Sequence, residues 1–241
     1  MNTIAIVQAR FDSERLPGKV LMDIEDKPIL EHIIDSLQKC NEISKIVVAT
    51  TTKDNDDLIE ELSKKLGIDV FRGSSDNVLE RFYLCSKKFS GDLIVRITAD
   101  NPLIDPKIVD KTINLIKESK CDYASNILHP TFPDGFSNCE VFTFKILKHL
   151  YDNYASDPAS KEHVTIQIRK NPSHYFLKEI LAPESLERPN WRLTIDYPED
   201  LELMRKIFST FSSKKLPIDY ADFVIFLDTN HTLFKINQNH S

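Results

Sequence analysis

Short apolar runs rich in β-branched residues, alternating with amphipathic stretches of helical length, predict an α/β protein with a mostly parallel sheet covered on both faces. Three observations carry this expectation. Residues 4–7, 46–49, 68–71 and 93–98 have the length and composition of buried strands. The stretches between them carry apolar residues at helical spacing and are long enough for crossover helices. Each apolar run also stops at a polar loop: Gln8 to Lys19, Thr50 to Asn55, Arg72 to Asp76, and Ala99-Asp100-Asn101-Pro102. In such sheets ligands sit beyond the carboxyl ends of the strands, so these loops are expected to build the site.

In chain order, the first strand gives way at Gln8 to a loop carrying Arg10, Arg15 and Lys19, punctuated by the turn signal Pro17-Gly18. Pro28 opens a helix with Ile29, Ile33, Ile34 and Leu37 on one face. Residues 55–66 form the next, closed by Gly67 as a left-handed cap. Asp76 is placed to cap a helix over 78–89. A helix over 108–118 and a strand over 122–124 follow. The alternation then lapses. Residues 129–138, with Pro130, Pro133 and Gly135, read as a loop, and 140–144 as an extended segment, so 129–144 is expected to project as an arm, a lid or a dimer contact. Asp157-Pro158 starts a helix carrying Glu162, His163 and Thr165. Residues 175–181 are a weak strand and 191–196 a better one. Pro198 opens a helix through Phe208, with Glu199 and Asp200 in its first turn as the helix dipole favours. A short helix over 219–227 lies within a C-terminal helix and tail, 213–241. With no internal repeats, residues 1–241 are expected to form one domain.

The composition narrows the chemistry. A net charge of -6 argues against a nucleic-acid binder. No apolar stretch reaches membrane-spanning length and the N-terminus lacks a signal-peptide plan, so a cytoplasmic protein without a membrane partner is expected. Cys40, Cys85, Cys121 and Cys139 are scattered and read as reduced thiols, with a nucleophilic Cys139 near Glu140 and His163 as the alternative. Only 5 glycines are present, and neither a Walker loop nor a Gly-x-Gly-x-x-Gly fingerprint can be built from them. A phosphate site would therefore rest on side chains. Arg10, Arg15 and Lys19 suit it, because arginine grips phosphate oxygens in pairs and lysine supplies a compact point charge. An ordinary solvated basic loop is the plain alternative.

Asp100 and Asp196 end two similar runs, Arg96-Ile97-Thr98-Ala99-Asp100 and Arg192-Leu193-Thr194-Ile195-Asp196. Strand-end carboxylates suit a hard cation such as magnesium, which takes one or two carboxylates and leaves its other positions to water and phosphate. Capping of the following turn and helix is the plain reading. His163 is open to two readings, a substrate contact or a histidine packed against the sheet.

The run Gln8-Ala9-Arg10…Ser13…Arg15-Leu16-Pro17-Gly18-Lys19 resembles the opening motif of the bacterial cytidylyltransferases that activate sugar acids, among them synthetases of the CMP-deoxyoctulosonate and CMP-neuraminate types. The resemblance is nearest to the spore-coat polysaccharide branch. It extends through Val78-Leu79-Glu80-Arg81-Phe82, Arg96 to Asp105, Glu162-His163-Val164-Thr165 and Arg192 to Leu201. It implies a three-layer α/β/α Rossmann-like sandwich of the nucleotide-diphospho-sugar transferase type, acting as a homodimer. The implied reaction joins CTP to an acidic sugar, releasing pyrophosphate, for a surface polysaccharide or glycoconjugate. Gln8, Ala9, Arg10, Ser13, Arg15, Lys19, Arg72, Gly73, Ser74 and Asp100 would bind the nucleotide. Arg10, Arg15, Lys19 and Asp100 would be catalytic, with Mg2+ at Asp100 and Asp196. Asn126, Glu140, Glu162, His163 and Arg192 would face the acceptor. The chain departs from relatives at Phe11, Asp12 and Glu14, where small residues are usual, and two carboxylates there would weaken a triphosphate grip. Two alternatives remain open: a glycosyltransferase of the same fold using a nucleotide-sugar donor, and a nucleotide-binding protein with a degenerate site.

Overall fold

The computed structural model describes residues 1–211 and 219–238. Strand β1 (Thr3–Gln8) lies mid-sheet, and after its loop comes a two-strand hairpin, β2 (Asp23–Ile24) and β3 (Lys27–Pro28). β1 pairs in parallel with β4 (Lys45–Thr51) on one side and β6 (Leu93–Thr98) on the other, and β5 (Asp69–Gly73) pairs in parallel with β4. Beyond β6 the sheet continues through β7 (Tyr123–Ser125), β8 (Glu140–Thr143) and β9 (Leu177–Glu179), in the order β5-β4-β1-β6-β8-β7-β9. β8 alone of these strands runs against its neighbours. The chain leaves β1 outward through β4 and β5, then returns on the other side as β6. That reversal opens a crevice between the carboxyl ends of β1 and β6.

Side-chain alternation along β1 explains the layers. Ile4 and Ile6 enter one core with α3 (Val78–Lys88), α5 (Phe144–Tyr154) and α7 (Ile166–Lys170). Ala5 and Val7 enter the other, with α1 (Ile29–Leu37), α2 (Asp57–Lys65), α4 (Pro106–Ser119), α8 (Pro198–Phe211) and α9 (Tyr220–Thr229). The short α6 (Pro158–Glu162) follows α5. The expected α/β/α sandwich is therefore present. No described helix is long and apolar enough to cross a membrane.

Gly67 closes its helix as expected, but several other boundaries differ. Gly67, at φ 73, ends α2 in a Schellman turn: its N–H bonds Lys64 and that of Ile68 bonds Ser63. β5 runs later than expected, so Arg72 and Gly73 are strand residues. Asn77 rather than Asp76 caps α3, its side chain accepting from the Glu80 N–H at 3.0 Å. The helix expected across Glu162 to Thr165 is broken, since His163 closes α6 and α7 starts at Ile166. α5 was not expected; Thr143 ends β8 and caps the helix at once, leaving no loop to mark it.

Residues 129–144 are not a projecting arm. Glu140–Thr143 are β8, inside the sheet, and Phe132 and Phe136 are buried against Tyr220 of α9, with ring centroids 4.9 and 4.8 Å away. Nor does 191–196 join the sheet. It meets the preceding loop through a single bridge between Asp134 and Arg192. Gly135 permits this approach: at φ +88, a Cβ there would lie 2.5 Å from the Thr194 nitrogen. Part of the expected C-terminal helix and tail, residues 213–218 and 239–241, lies outside the described residues. All four cysteines are free and buried. Burial raises the Cys139 thiol well above its ordinary pKa, which removes it as a nucleophile.

Candidate active site

The loop after β1 folds back on Phe11, whose carbonyl accepts from the N–H groups of Ser13 and Gly18, each at 2.8 Å. Gly18 has φ +71, and the Phe11 ring lies 3.0 Å from where a Cβ would stand, so position 18 needs glycine for both conformation and space. The following turn, Lys19–Leu21, carries Lys19 inward to 8% exposure. Its Nζ donates to the Ile195 carbonyl (2.6 Å) and to Asp196 Oδ1 (3.0 Å), and lies 3.5 Å from Asp100 Oδ2. Arg15 holds the other Asp196 oxygen at 2.8 Å and lies over the Tyr197 ring. Arg10 reaches Glu162 at 3.3 Å.

These groups surround a cavity of about 600 Å³ at the crevice between β1 and β6. Gln8, Ala9, Arg10, Ser13, Arg15, Lys19, Asp100, Glu162, His163 and Asp196 all line it. His163 is exposed and not packed against the sheet. The Gln8 amide oxygen accepts from Arg96 at 3.2 Å. Glu14 is also on the wall, but Asp12 is turned away to Lys53, at 2.9 Å, and to Asn55. One of the two unexpected carboxylates in this loop is thus spent outside the cavity.

Arg81 was missed. It lines the cavity from α3, is 1% exposed, and its Nε has no hydrogen-bond partner among the described residues. Burial, with the Arg10 charge nearby, lowers its pKa to about 10. Its signal in the sequence is a cation on the apolar face formed by Val78, Leu79, Phe82 and Cys85. Ser74 contributes indirectly, its carbonyl accepting from Arg81 at 2.6 Å.

Other candidates serve the frame. Arg72 does not line the cavity: its guanidinium binds Asp57, Glu60 (2.9 Å) and the carbonyls of Thr51 (2.8 Å) and Lys53 (2.7 Å). Gly73 is paired with Thr51 across β4 and β5. Arg72→Ala should therefore cost about 1 kcal/mol of stability, roughly 2–4 °C in Tm, which a thermal melt checks. Asn126 braces its loop, accepting from the Cys139 N–H (3.0 Å) and donating to the Ser137 carbonyl (3.2 Å). Arg192 grips Asp200 with both terminal nitrogens. Asp200 in turn accepts from the N–H groups of Asp196 (3.0 Å) and Tyr197 (2.9 Å), which fixes the turn that presents Asp196. Glu140 is 2% exposed and accepts from Arg96, Thr165 and Tyr123 (2.7 Å). Burial works to raise its pKa, yet the Arg96 charge and these hydroxyls bring it below the ordinary glutamate value.

The carboxylates fit a divalent cation. Asp100 Oδ1 is buried with no hydrogen-bond partner among the described residues, and Asp100 and Asp196 converge on one cationic nitrogen. Among the described residues no cluster of three or more metal-ligating side chains exists, so phosphate and water oxygens would complete the shell.

The cytidylyltransferase family profile matches residues 4–226. An uncharacterized protein of Methanocaldococcus jannaschii is 41% identical over 241 residues, covering 99% of this chain and 96% of that protein. The spore coat polysaccharide biosynthesis protein SpsF of Bacillus subtilis is 32% identical over 235 residues, 95% of this chain and 96% of that one. A solved cytidylyltransferase structure from Leptospira borgpetersenii serovar Hardjo-bovis superposes with a TM-score of 0.88 at 32% identity, covering 97% of this chain and 96% of that one. A cation-lined crevice at the β1–β6 switch point, two aspartates converging on Lys19 and a profile match along most of its length place this chain in the cytidylyltransferase family, nucleotidyltransferases that draw on CTP.

Proposed function

We propose that the protein joins the CMP group of CTP to an oxygen of an acidic sugar and releases pyrophosphate, with Mg2+ at Asp100 and Asp196, as a step towards a surface polysaccharide or glycoconjugate. The observation that carries this reading is the Lys19 ammonium held between two carboxylates, Asp100 just after β6 and Asp196 just before α8, in a cavity that also presents Arg10, Arg15 and Arg81. Five cations line the cavity; Arg96 is paired with Glu140, and the other four suit a triphosphate, for which the glycine-based cradles are absent from the sequence.

The residues divide the work. Arg10 and Arg15 are half-exposed at the rim and hold the β- and γ-phosphates. Arg81 adds a charge from the floor. The Gln8 oxygen is occupied by Arg96, which leaves the amide NH₂ to donate to a base carbonyl. The acceptor oxygen forms its bond to the α-phosphorus, losing its proton, as the bond to the bridging oxygen breaks on the opposite side. Catalysis of such a transfer is mostly positioning and charge stabilisation. Lys19, the most enclosed of these lysine and arginine charges after Arg81, offsets the charge that gathers on pyrophosphate as it leaves. A bound divalent cation supplies polarisation of the phosphoryl oxygens and acidifies the attacking hydroxyl. The acidic acceptor and a homodimeric assembly are supported by the sequence motifs shared with sugar-acid cytidylyltransferases.

The test is pyrophosphate release with Mg2+, each nucleoside triphosphate in turn, and 3-deoxy-manno-octulosonate, N-acetylneuraminate or a neutral hexose. Release with CTP and an acid, and not with the hexose, is the expected result. Binding of CTP without release from any pair would instead support a degenerate, nucleotide-holding site.

A further inference from the structure

A second cavity, of about 250 Å³, adjoins the first and shares Arg96 and Asp100 with it. Three buried polar atoms with no hydrogen-bond partner among the described residues belong to residues on its wall: Arg96 Nε, Asp100 Oδ1 and Asn101 Oδ1. Asn101 is 1% exposed, and its amide nitrogen is committed to Thr98 at 2.8 Å, so its carbonyl oxygen is an unmatched acceptor. A buried acceptor left unpaired is costly, and a ligand that donates to it recovers the loss.

The charges on this wall are unequal in their commitments. Arg96 is paired with Glu140. Asp134 accepts from Asn138 at 3.0 Å. Arg169, on α7, is exposed on the wall, and among the described residues no carboxylate lies within ion-pair distance of it. Its backbone N–H bonds the Thr165 carbonyl at 3.4 Å, and among the described residues its guanidinium makes no hydrogen bond or ion pair, although its charge helps to lower the pKa of Glu140 on the same wall. Arg192, the arginine that the sequence suggested for an acceptor, is locked to Asp200 and is not on this wall.

We propose that the second cavity seats the acceptor and that Arg169 reads its carboxylate, with Asn101 Oδ1 receiving a hydroxyl or amide N–H. The proposal rests on the cytidylyl transfer described above and specifies its acceptor. Asp100 borders both cavities, so an acceptor in the smaller one lies beside the reacting phosphate. The volume is below the usual range for drug-sized ligands, roughly 300–1,000 Å³. It therefore suits a single free sugar acid bearing hydrogen-bond donors, and not an oligosaccharide or a nucleotide-linked acceptor. A guanidinium is the side chain best shaped for a carboxylate, which it can hold with two parallel hydrogen bonds.

The test compares wild type, Arg169→Ala and Arg169→Lys with saturating CTP and Mg2+. The substrates are 3-deoxy-manno-octulosonate and N-acetylneuraminate, each as the acid and as its methyl ester. In Arg169→Ala the KM for the acid should rise about 10- to 100-fold, with the KM for CTP unchanged and partial recovery in Arg169→Lys. Wild type should prefer acid to ester, and the alanine variant should lose that preference, which a merely structural arginine would not affect. Wild-type turnover with acid-over-ester preference intact in Arg169→Ala overturns the proposal alone. Wild type that neither turns over nor binds either acid by calorimetry in the presence of CTP overturns it together with the function it rests on.

Discussion

Lys19→Ala should lower kcat by ~10²-fold or more, in a protein that remains folded. The ammonium makes two hydrogen bonds, to Ile195 O and Asp196, with Asp100 at 3.5 Å. Its removal leaves two neighbouring carboxylates facing each other and takes away the charge placed to meet the leaving group. Both carboxylates keep some access to water, at 29% and 19% side-chain exposure, so the stability cost should be about 1–3 kcal/mol. A domain typically has about 5–15 kcal/mol to lose, so the variant folds and the deficit is chemical. Lys19→Arg should not restore turnover, because a planar guanidinium cannot occupy a nearly closed position shaped for one nitrogen. Pyrophosphate release measured beside a thermal melt separates the two effects, and wild-type turnover in Lys19→Ala would falsify the assigned role.

Glu140→Ala should be the most destabilising single change near the site. Its carboxylate is the shared acceptor for Arg96, Tyr123 and Thr165. Deleting it strands a guanidinium with 13% side-chain exposure and a fully enclosed phenol. Breaking a buried pair from one side costs about 3–5 kcal/mol, or roughly 6–20 °C in Tm for a chain of this size. Arg96 also holds Gln8, so the KM for CTP should rise as well. The pH dependence has a definite sign. Glu140 titrates below its ordinary value in the fold, so its contribution is complete above the unfolded pKa of about 4.3 and is lost as pH falls through the lower, folded value. Wild type should therefore lose stability more steeply than Glu140→Gln on the acid side of pH 4.3. Parallel acid limbs in the two proteins would remove Glu140 from that account.

Strands and strand-end loops were legible because they are local patterns. β1, β4 and β6 are apolar runs, and the charged loop and Asp100 begin where those runs end. Asp196 was legible for the same reason, although 191–196 is not a sheet strand: Leu193 and Ile195 are buried against a loop rather than a ladder. What stayed hidden depends on partners far along the chain. Nothing near Arg72 or Arg192 says that Asp57, Glu60 and Asp200 consume their charge, and nothing near Arg169 says that its own is spared. Helix α5 was concealed by its immediate start from β8. Arg81 could have been found, since a cation on an apolar helical face requires an explanation.

The reversed direction of β8 has a consequence for how this scaffold can be altered. Ser125, the last residue of β7, and Glu140, the first of β8, are paired neighbours, so residues 126–139 leave and re-enter the sheet at adjacent points on the rim of the site. Closing a loop between fixed ends depends only weakly on its length, with each doubling adding about 0.6 kcal/mol. Exchanging this segment between relatives would reshape the wall bearing Asp134 and Asn138 while leaving β1 and the cations of its loop where they are. The sheet thus separates a part that can be grafted from one that must be kept, and the boundary between them falls at Glu140.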